Sequence, residues 1–369
     1  WNGTSGYWWE SGNTSQTNVD AMVSKTVRWL AGENTDQGAW DAIFRNFNQT
    51  HGRGNVGYKS PEKITIKINL NCFDKINGQN PAPQTINALL WQFVNVAGVA
   101  QSNITVTDAS RTIPTQILDS CRGNFPNVRF VDCYGANGCS QAQPDTNESE
   151  AVYYSNTNVW GNGVRYPEKS YTEATYVISL GCLRGHNLAV VTLCSKNFFG
   201  STWVNYDTNQ FHRGWTPGGA DTNGNPCMNG MHGWIAVNNF SWGGGWDFVQ
   251  RPMGSYSALV DIMENKNLGG KTMLFLVDGL YAQEHQSSSF PFKWQTAPFS
   301  NDWSSSLIAS LDSVALESVC LDFLRSETGY VNVVQGSVDN FMHEAAQANN
   351  PPSGTVYDPN KTGTNIASL

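Results

Sequence analysis

Three side chains carry the strongest chemical promise in this chain: His186, Lys196 and Asp278. A histidine exchanges a proton near neutral pH or ligates a metal. Lys196 can orient an anionic substrate or, once desolvated, act as a base. A carboxylate such as Asp278 in the same cleft would pair with the lysine and keep both charged, leaving His186 as the proton-exchanging group. Each has a plainer reading beside it. His186 reads equally as a hydrogen-bonded loop histidine, Lys196 as half of a structural salt bridge, and Asp278, which precedes a glycine, as a turn former. Asn69, Arg184, Asn197 and Asp312 are the candidate substrate-binding groups. Asp312 precedes Ser-Val-Ala-Leu, and a helix-capping role is favoured for it.

The elements that must position these residues alternate between strand and helix. Residues 63–70 (KITIKINL), 104–108 (ITVTD), 128–132, 176–180, 188–193, 272–278 and 307–310 read as strands, from β-branched or continuous apolar runs. Helical spacing of apolar residues marks 19–30, 39–47, 83–97, 115–121, 255–264 and 313–326. Such alternation predicts an α/β fold with a mostly parallel sheet flanked by helices. Segments 64–70 and 272–277 belong inside one sheet. In an open parallel sheet, ligands sit beyond the carboxyl ends of the strands. His186, Lys196 and Asp278 each follow a strand candidate, so they are expected around one cleft at that edge.

At 369 residues the chain is long enough for one large domain with insertions or for two. We divide it into an N-terminal arm with helices (1–60), an α/β domain (61–345) and an irregular tail (346–369). A Trp- and Gly-rich stretch at about 200–252 reads as an insertion; its tryptophans either fill a local core or present faces for sugars and partner proteins. Net charge is −8 with no basic stripe, which argues against nucleic acid as a partner, and no apolar run is long enough for a transmembrane helix. No Gly-rich dinucleotide fingerprint comes after the first strand, and no Cys-x-x-Cys run for an iron–sulfur cluster is present. A divalent metal is open. His212, His232, Glu284, His285, His343 and Glu344 are available as ligands, without tight ligand spacing.

Charged residues make up only 14% of the chain, which suits an extracellular, cell-surface or periplasmic setting. The start at Trp1 reads as a mature N-terminus left by signal-peptide removal. Eight cysteines in such a compartment predict at least two disulfides, with Cys133 and Cys139 a candidate pair across a loop containing Gly135 and Gly138.

Four stretches taken together resemble the family called domain of unknown function 362. They are residues 64–71 (ITIKINLN), 177–200 (VISLGCLRGHNLAVVTLCSKNFFG), 275–280 (FLVDGL) and 310–324 (SLDSVALESVCLDFL), and the likeness extends over roughly 60–345. Arg184 stands where many relatives have Lys, and Glu317 replaces the second Asp of the fourth stretch. The ferredoxin module of some relatives is missing. The segments LRSETGY and DNFMHEAAQANNPPSGTVYDP resemble a secreted, Bacteroidetes-type subgroup whose chains continue past the last residue here. The resemblance implies an α/β fold and leaves the reaction open. Two functions stand as expectations: an enzyme acting on a small polar or anionic substrate, or a non-catalytic surface protein that binds glycans or assembles with itself.

Overall fold

The computed structural model describes residues 1–70, 77–156, 164–187, 189–203, 235, 240–241, 247–248, 251–286, 288–327 and 337–366. The chain opens with two helices. In α1 (Gln16–Ala31), the Ser15 hydroxyl accepts from the N–H of Asn18, Val19, Val23 and Val27 form a buried stripe, and Gly32 ends the helix in the left-handed conformation. Thr35 caps α2 (Asp36–Thr50) in the same way, and that helix buries Trp40, Phe44 and Phe47.

The alternating part supplies β1 (Ile64–Ile68), α3 (Pro83–Trp91), β2 (Ile104–Asp108), α4 (Thr115–Arg122), β3 (Arg129–Asp132) and β4 (Ser140–Gln141). Then come β5 (Val152–Tyr153), β6 (Val164–Pro167), α5 (Lys169–Glu173), β7 (Tyr176–His186), β8 (Val190–Val191), α6 (Cys194–Asn197) and β9 (Thr202–Trp203). The last part holds β10 (Phe240–Ser241), β11 (Asp247–Phe248), α7 (Ala258–Glu264), β12 (Thr272–Gln283), β13 (Ser306–Ser310), α8 (Ser313–Ser326) and α9 (Asn340–Ala346).

One sheet organises the molecule, in the order β13-β12-β7-β1-β2-β3-β4. From β12 to β4 every neighbour is parallel; β13 is antiparallel at one edge, and β8 folds back on β7. The α/β fold with a mostly parallel sheet is therefore as the sequence predicts, with segments 64–70 and 272–277 both in it. Going outward from β1, the chain runs through β2 to β4 on one side and places β7 and β12 on the other. The order reverses between β1 and β7, which is where an open α/β sheet offers a crevice at its carboxyl edge.

The two sheet faces differ. One packs α1 to α4 against Ile64, Ile66 and Ile68 of β1, Ile104 and Val106 of β2, and Leu274 and Leu276 of β12. The other packs α6 to α9 against Val177 and Leu183 of β7 and Phe275 and Val277 of β12. On that second face the alternate positions of β1 are Thr65 and Lys67 rather than apolar residues, and both are buried.

Three expectations need correction. Residues 188–193 do not add a parallel strand. The chain reverses after His186, and β8 returns antiparallel with Gly185 opposite Val191. A short run such as Ala-Val-Val satisfies either pairing. The strand predicted over 272–278 runs on to Gln283, so Asp278 lies inside β12 rather than at its end. Asp278 is therefore not a turn former, and Gly279 is needed for close packing: a Cβ there would stand 3.2 Å from the Ser306 carbonyl and 3.4 Å from Leu183 Cδ2.

The third correction concerns the cysteines. None of the six described cysteines forms a disulfide, so two bridges cannot form, and Cys133 is not joined to Cys139. Their loop is closed by Asp132 instead, whose carboxylate accepts from the N–H groups of Tyr134, Gly135 and Ala136. Cys139 Sγ accepts from Arg122 at 3.7 Å, and Cys133 Sγ contacts the Thr112 hydroxyl at 3.9 Å. Burial pushes the Cys133 thiol up to about 12 and Cys139 up to about 11, so neither is a thiolate at neutral pH. Cys72 and Cys227 lie outside the described residues. Alkylation of the unfolded, unreduced protein should therefore label at least six cysteines by mass spectrometry.

Buried acids set a pH dependence. Burial raises Asp261, Glu168 and Glu317 each to about 7. Asp261 accepts from the hydroxyls of Ser155 and Tyr256, both at 2.6 Å, and Glu317 accepts from the Ser195 N–H. These groups hold protons in the fold that they release in the unfolded chain. Their contribution is fully present below the ordinary carboxylate range and is lost as pH rises through about 7. The melting temperature should be several degrees higher at pH 5.5 than at pH 8.5. Asp261→Asn should narrow that gap in differential scanning calorimetry.

Candidate functional site

Lys67 of β1 and Asn69 just after it open onto a cavity of about 40 Å³ at the carboxyl edge of the sheet, between the ends of β1 and β2 and α6. Lys67, Asn69, Asp108, Arg111, Lys196 and Phe199 are among its lining residues. The Lys67 ammonium is 2.9 Å from Asp108 Oδ2, and both residues are almost fully buried. It also donates to the Ile68 carbonyl at 2.8 Å and to Asn197 Oδ1 at 3.1 Å, which uses all three of its protons.

Asp108 is equally well served. Its Oδ1 accepts from the N–H and hydroxyl of Ser110, and its Oδ2 accepts from the Leu70 N–H. Burial raises the carboxyl, but Lys67 and the Ser110 donors outweigh it and hold Asp108 below the ordinary carboxylate value. Burial pulls Lys67 below its usual value, opposed by Asp108.

Asn197 ties α6 to the sheet, donating to the carbonyl of Lys67 at 3.0 Å and to Ser179 Oγ at 3.2 Å. Asn69 bridges in the other direction. Its Oδ1 accepts from Arg184 at 2.8 Å, and its amide donates to the backbone and hydroxyl oxygens of Thr192, both at 3.1 Å. Arg184 also donates to the Gln79 carbonyl. Gly200 lets the turn after α6 press onto this floor, since a Cβ there would run into Ser110 Oγ and stand 3.0 Å from Asp108 Oδ1.

Lys196 is the exception in this well-bonded setting. It is 6% exposed and lines the cavity. Among the described residues its ammonium has neither a hydrogen bond nor an ion pair, only the ring of Phe199 at 5.1 Å. Burial, and then the charges of Arg184, Arg111 and Lys67, push Lys196 well below the usual lysine range; Asp108 opposes this only in part. Lys196 also borders a second cavity of about 30 Å³, lined largely by apolar groups such as Val191, Leu259 and Phe341 and by Glu317.

Of the residues predicted from sequence, the structure gathers Asn69, Lys196 and Asn197 into the cavity, with Arg184 bonded to its wall through Asn69. His186 and Asp278 line neither cavity. His186 ends β7 at the hairpin tip, and its Nδ1 accepts from the Ala189 N–H at 3.2 Å. Asp278 accepts from the N–H groups of Ala82 and Leu280, at 2.8 and 3.0 Å, and so anchors the start of α3. Asp312 caps α8, accepting from Ala315 N at 2.9 Å. Because Ser310 pairs with Phe275 near the start of β12, Asp312 lies toward the opposite edge of the sheet.

Sequence reasoning passed over Lys67 and Arg111 as site residues and counted Asp108 only among the polar groups at strand ends. Lys67 had a usable signal: a lysine inside a β-branched strand of a parallel sheet is buried, and a buried lysine requires a partner. Among the described residues no three His, Cys, Asp or Glu side chains converge to hold a metal ion. The metal candidates His212 and His232 lie outside the described residues, as does most of the 200–252 stretch on which the glycan-binding and self-assembly reading rests. No described helix is long and apolar enough to cross a membrane.

The ion pair makes a stability prediction. Asp108→Asn leaves Lys67 buried without its counter-charge and should cost about 3–5 kcal/mol, read from denaturant unfolding.

Comparison with known proteins places this geometry in a family. No curated protein and no solved structure matches the chain. The family model described as Domain of unknown function (DUF362) matches residues 64–322, a span that contains β1, the cavity and most of α8. The chain belongs to the DUF362 family.

Proposed function

We propose that the cavity between β1, β2 and α6 binds a small anionic substrate and that the protein is an enzyme acting on it. The observation that carries this reading is the charge imbalance. Among the described residues, Lys67, Arg111 and Lys196 line the cavity with one carboxylate, Asp108, and that carboxylate is already paired with Lys67. Gathering like charges in a low-dielectric crevice is costly, and an incoming anion offsets that cost. The location beyond the carboxyl ends of the parallel strands β1 and β2 supports the same conclusion. Asn69 and Asn197 hold the frame, and Arg111 and Lys196 are among the lining residues that a ligand entering the cavity would meet. The low charge density of the chain fits an extracellular or periplasmic setting, which we include in the proposal.

Isothermal titration with inorganic phosphate, sulfate and short-chain carboxylates tests the site. Saturable binding at one site per chain is expected. Arg111→Ala, which removes a cavity-lining charge, should weaken it about tenfold, a loss of ~1.4 kcal/mol. If none of these anions binds the wild-type protein at millimolar concentration, the reading fails.

A further inference from the structure

A ligand carrying only negative charge would meet the positive charges of Lys67 and Arg111, which line the cavity. Lys196 adds something different. Its side chain is 6% exposed and lines the cavity, and among the described residues its amine makes no hydrogen bond or ion pair. A buried lysine is normally held by a carboxylate or by carbonyls, as Lys67 is here. Lys196 instead rests on the face of Phe199, and among the described residues no acceptor occupies the nitrogen's protons.

From this contrast we infer that Lys196 is a covalent nucleophile, condensing with the carbonyl of a small anionic carbonyl compound of the 2-oxo acid class. The inference rests on the anion-site reading above and names the substrate class for it. In the condensation the Nζ lone pair attacks the carbonyl carbon. A C–N bond forms, the C–O bond breaks, and the oxygen leaves as water with both amine protons, so no oxidant or reductant is needed. The carboxylate of the ligand sits among the neighbouring cations.

Two features support the step. Desolvation and the surrounding cations hold Lys196 well below the usual lysine range, which favours the free amine over the ammonium. On its other side Lys196 borders the second cavity with Glu317, a buried carboxyl raised to about 7 that can give and take the protons the dehydration requires.

Reductive trapping tests the inference. The intact protein is incubated with pyruvate or glyoxylate and cyanoborohydride, then digested and mapped by mass spectrometry. A single stoichiometric adduct on Lys196 is expected. It should be suppressed by excess inorganic phosphate and absent from Lys196→Arg protein whose circular dichroism matches wild type. Phosphate binding is measured in parallel by calorimetry. If phosphate binds but Lys196 stays unmodified, or if labelling spreads over surface lysines without phosphate protection, the nucleophile inference is overturned and the anion site stands. If phosphate also fails to bind, both readings fall.

Discussion

Lys67 and Asp108 form an ion pair in the middle of the sheet, with almost no contact with solvent. Taking two such charges out of water costs several kcal/mol each, and mutual attraction recovers that only with good geometry and further hydrogen bonds. Here the further bonds come from three segments: Ile68 and Leu70 at the end of β1 and just after it, Ser110 after β2, and Asn197 in α6. The pair therefore fixes where α6 lies against the sheet. Since Lys196 and Asn197 are adjacent in α6, it also fixes the wall of the cavity.

The same pair explains why the two faces of β1 differ. Ile64, Ile66 and Ile68 face the N-terminal helices and behave as ordinary core. Thr65 and Lys67 point the other way. The Thr65 hydroxyl donates to the Ser170 carbonyl at 2.8 Å, so α5 is pinned to the strand through polar contact. A central strand that is apolar on one face and polar on the other leaves room for a crevice only where the polar face runs past the end of its covering helices. The strain nearby is consistent with this. Val190, at the hairpin beside the cavity wall, has φ of 66°, a conformation that a β-branched residue adopts only when its surroundings impose it.

Much of this frame was legible in the sequence. Segments 64–70, 104–108 and 272–278 announce buried parallel strands through β-branched and apolar runs, and the sheet contains all three. Asn69, Lys196 and Asn197 stand at or just past the ends of such runs, on the edge where an open sheet takes its ligands. The hairpin after His186 was not legible, because a two-residue antiparallel return has no period of its own. The disulfides failed for a related reason. Gly135 and Gly138 do mark a tight loop, but a carboxylate with backbone N–H groups in reach closes it as well as a bridge does. With six cysteines unbridged, the case for secretion rests on composition and not on covalent chemistry.

What separates the real lining from its look-alikes is how far each polar group is already spent. Asp132, Asp278 and Asp312 all sit where a sequence reader looks for catalytic carboxylates. Each is consumed by backbone donors: a turn after β3, the start of α3 and the start of α8. Helix α3 begins with Pro83 and has no side-chain cap of its own, so a carboxylate reaching in from β12 is what satisfies the Ala82 N–H. Strand ends in an α/β fold are crowded with such orphan donors, and an acidic residue there is more readily explained by them than by a substrate. Lysine has no acceptor atoms and cannot do this work. Among the described residues Lys196 meets neither carbonyl nor carboxylate, only the ring of Phe199, and that is what distinguishes it from the acids around the same edge.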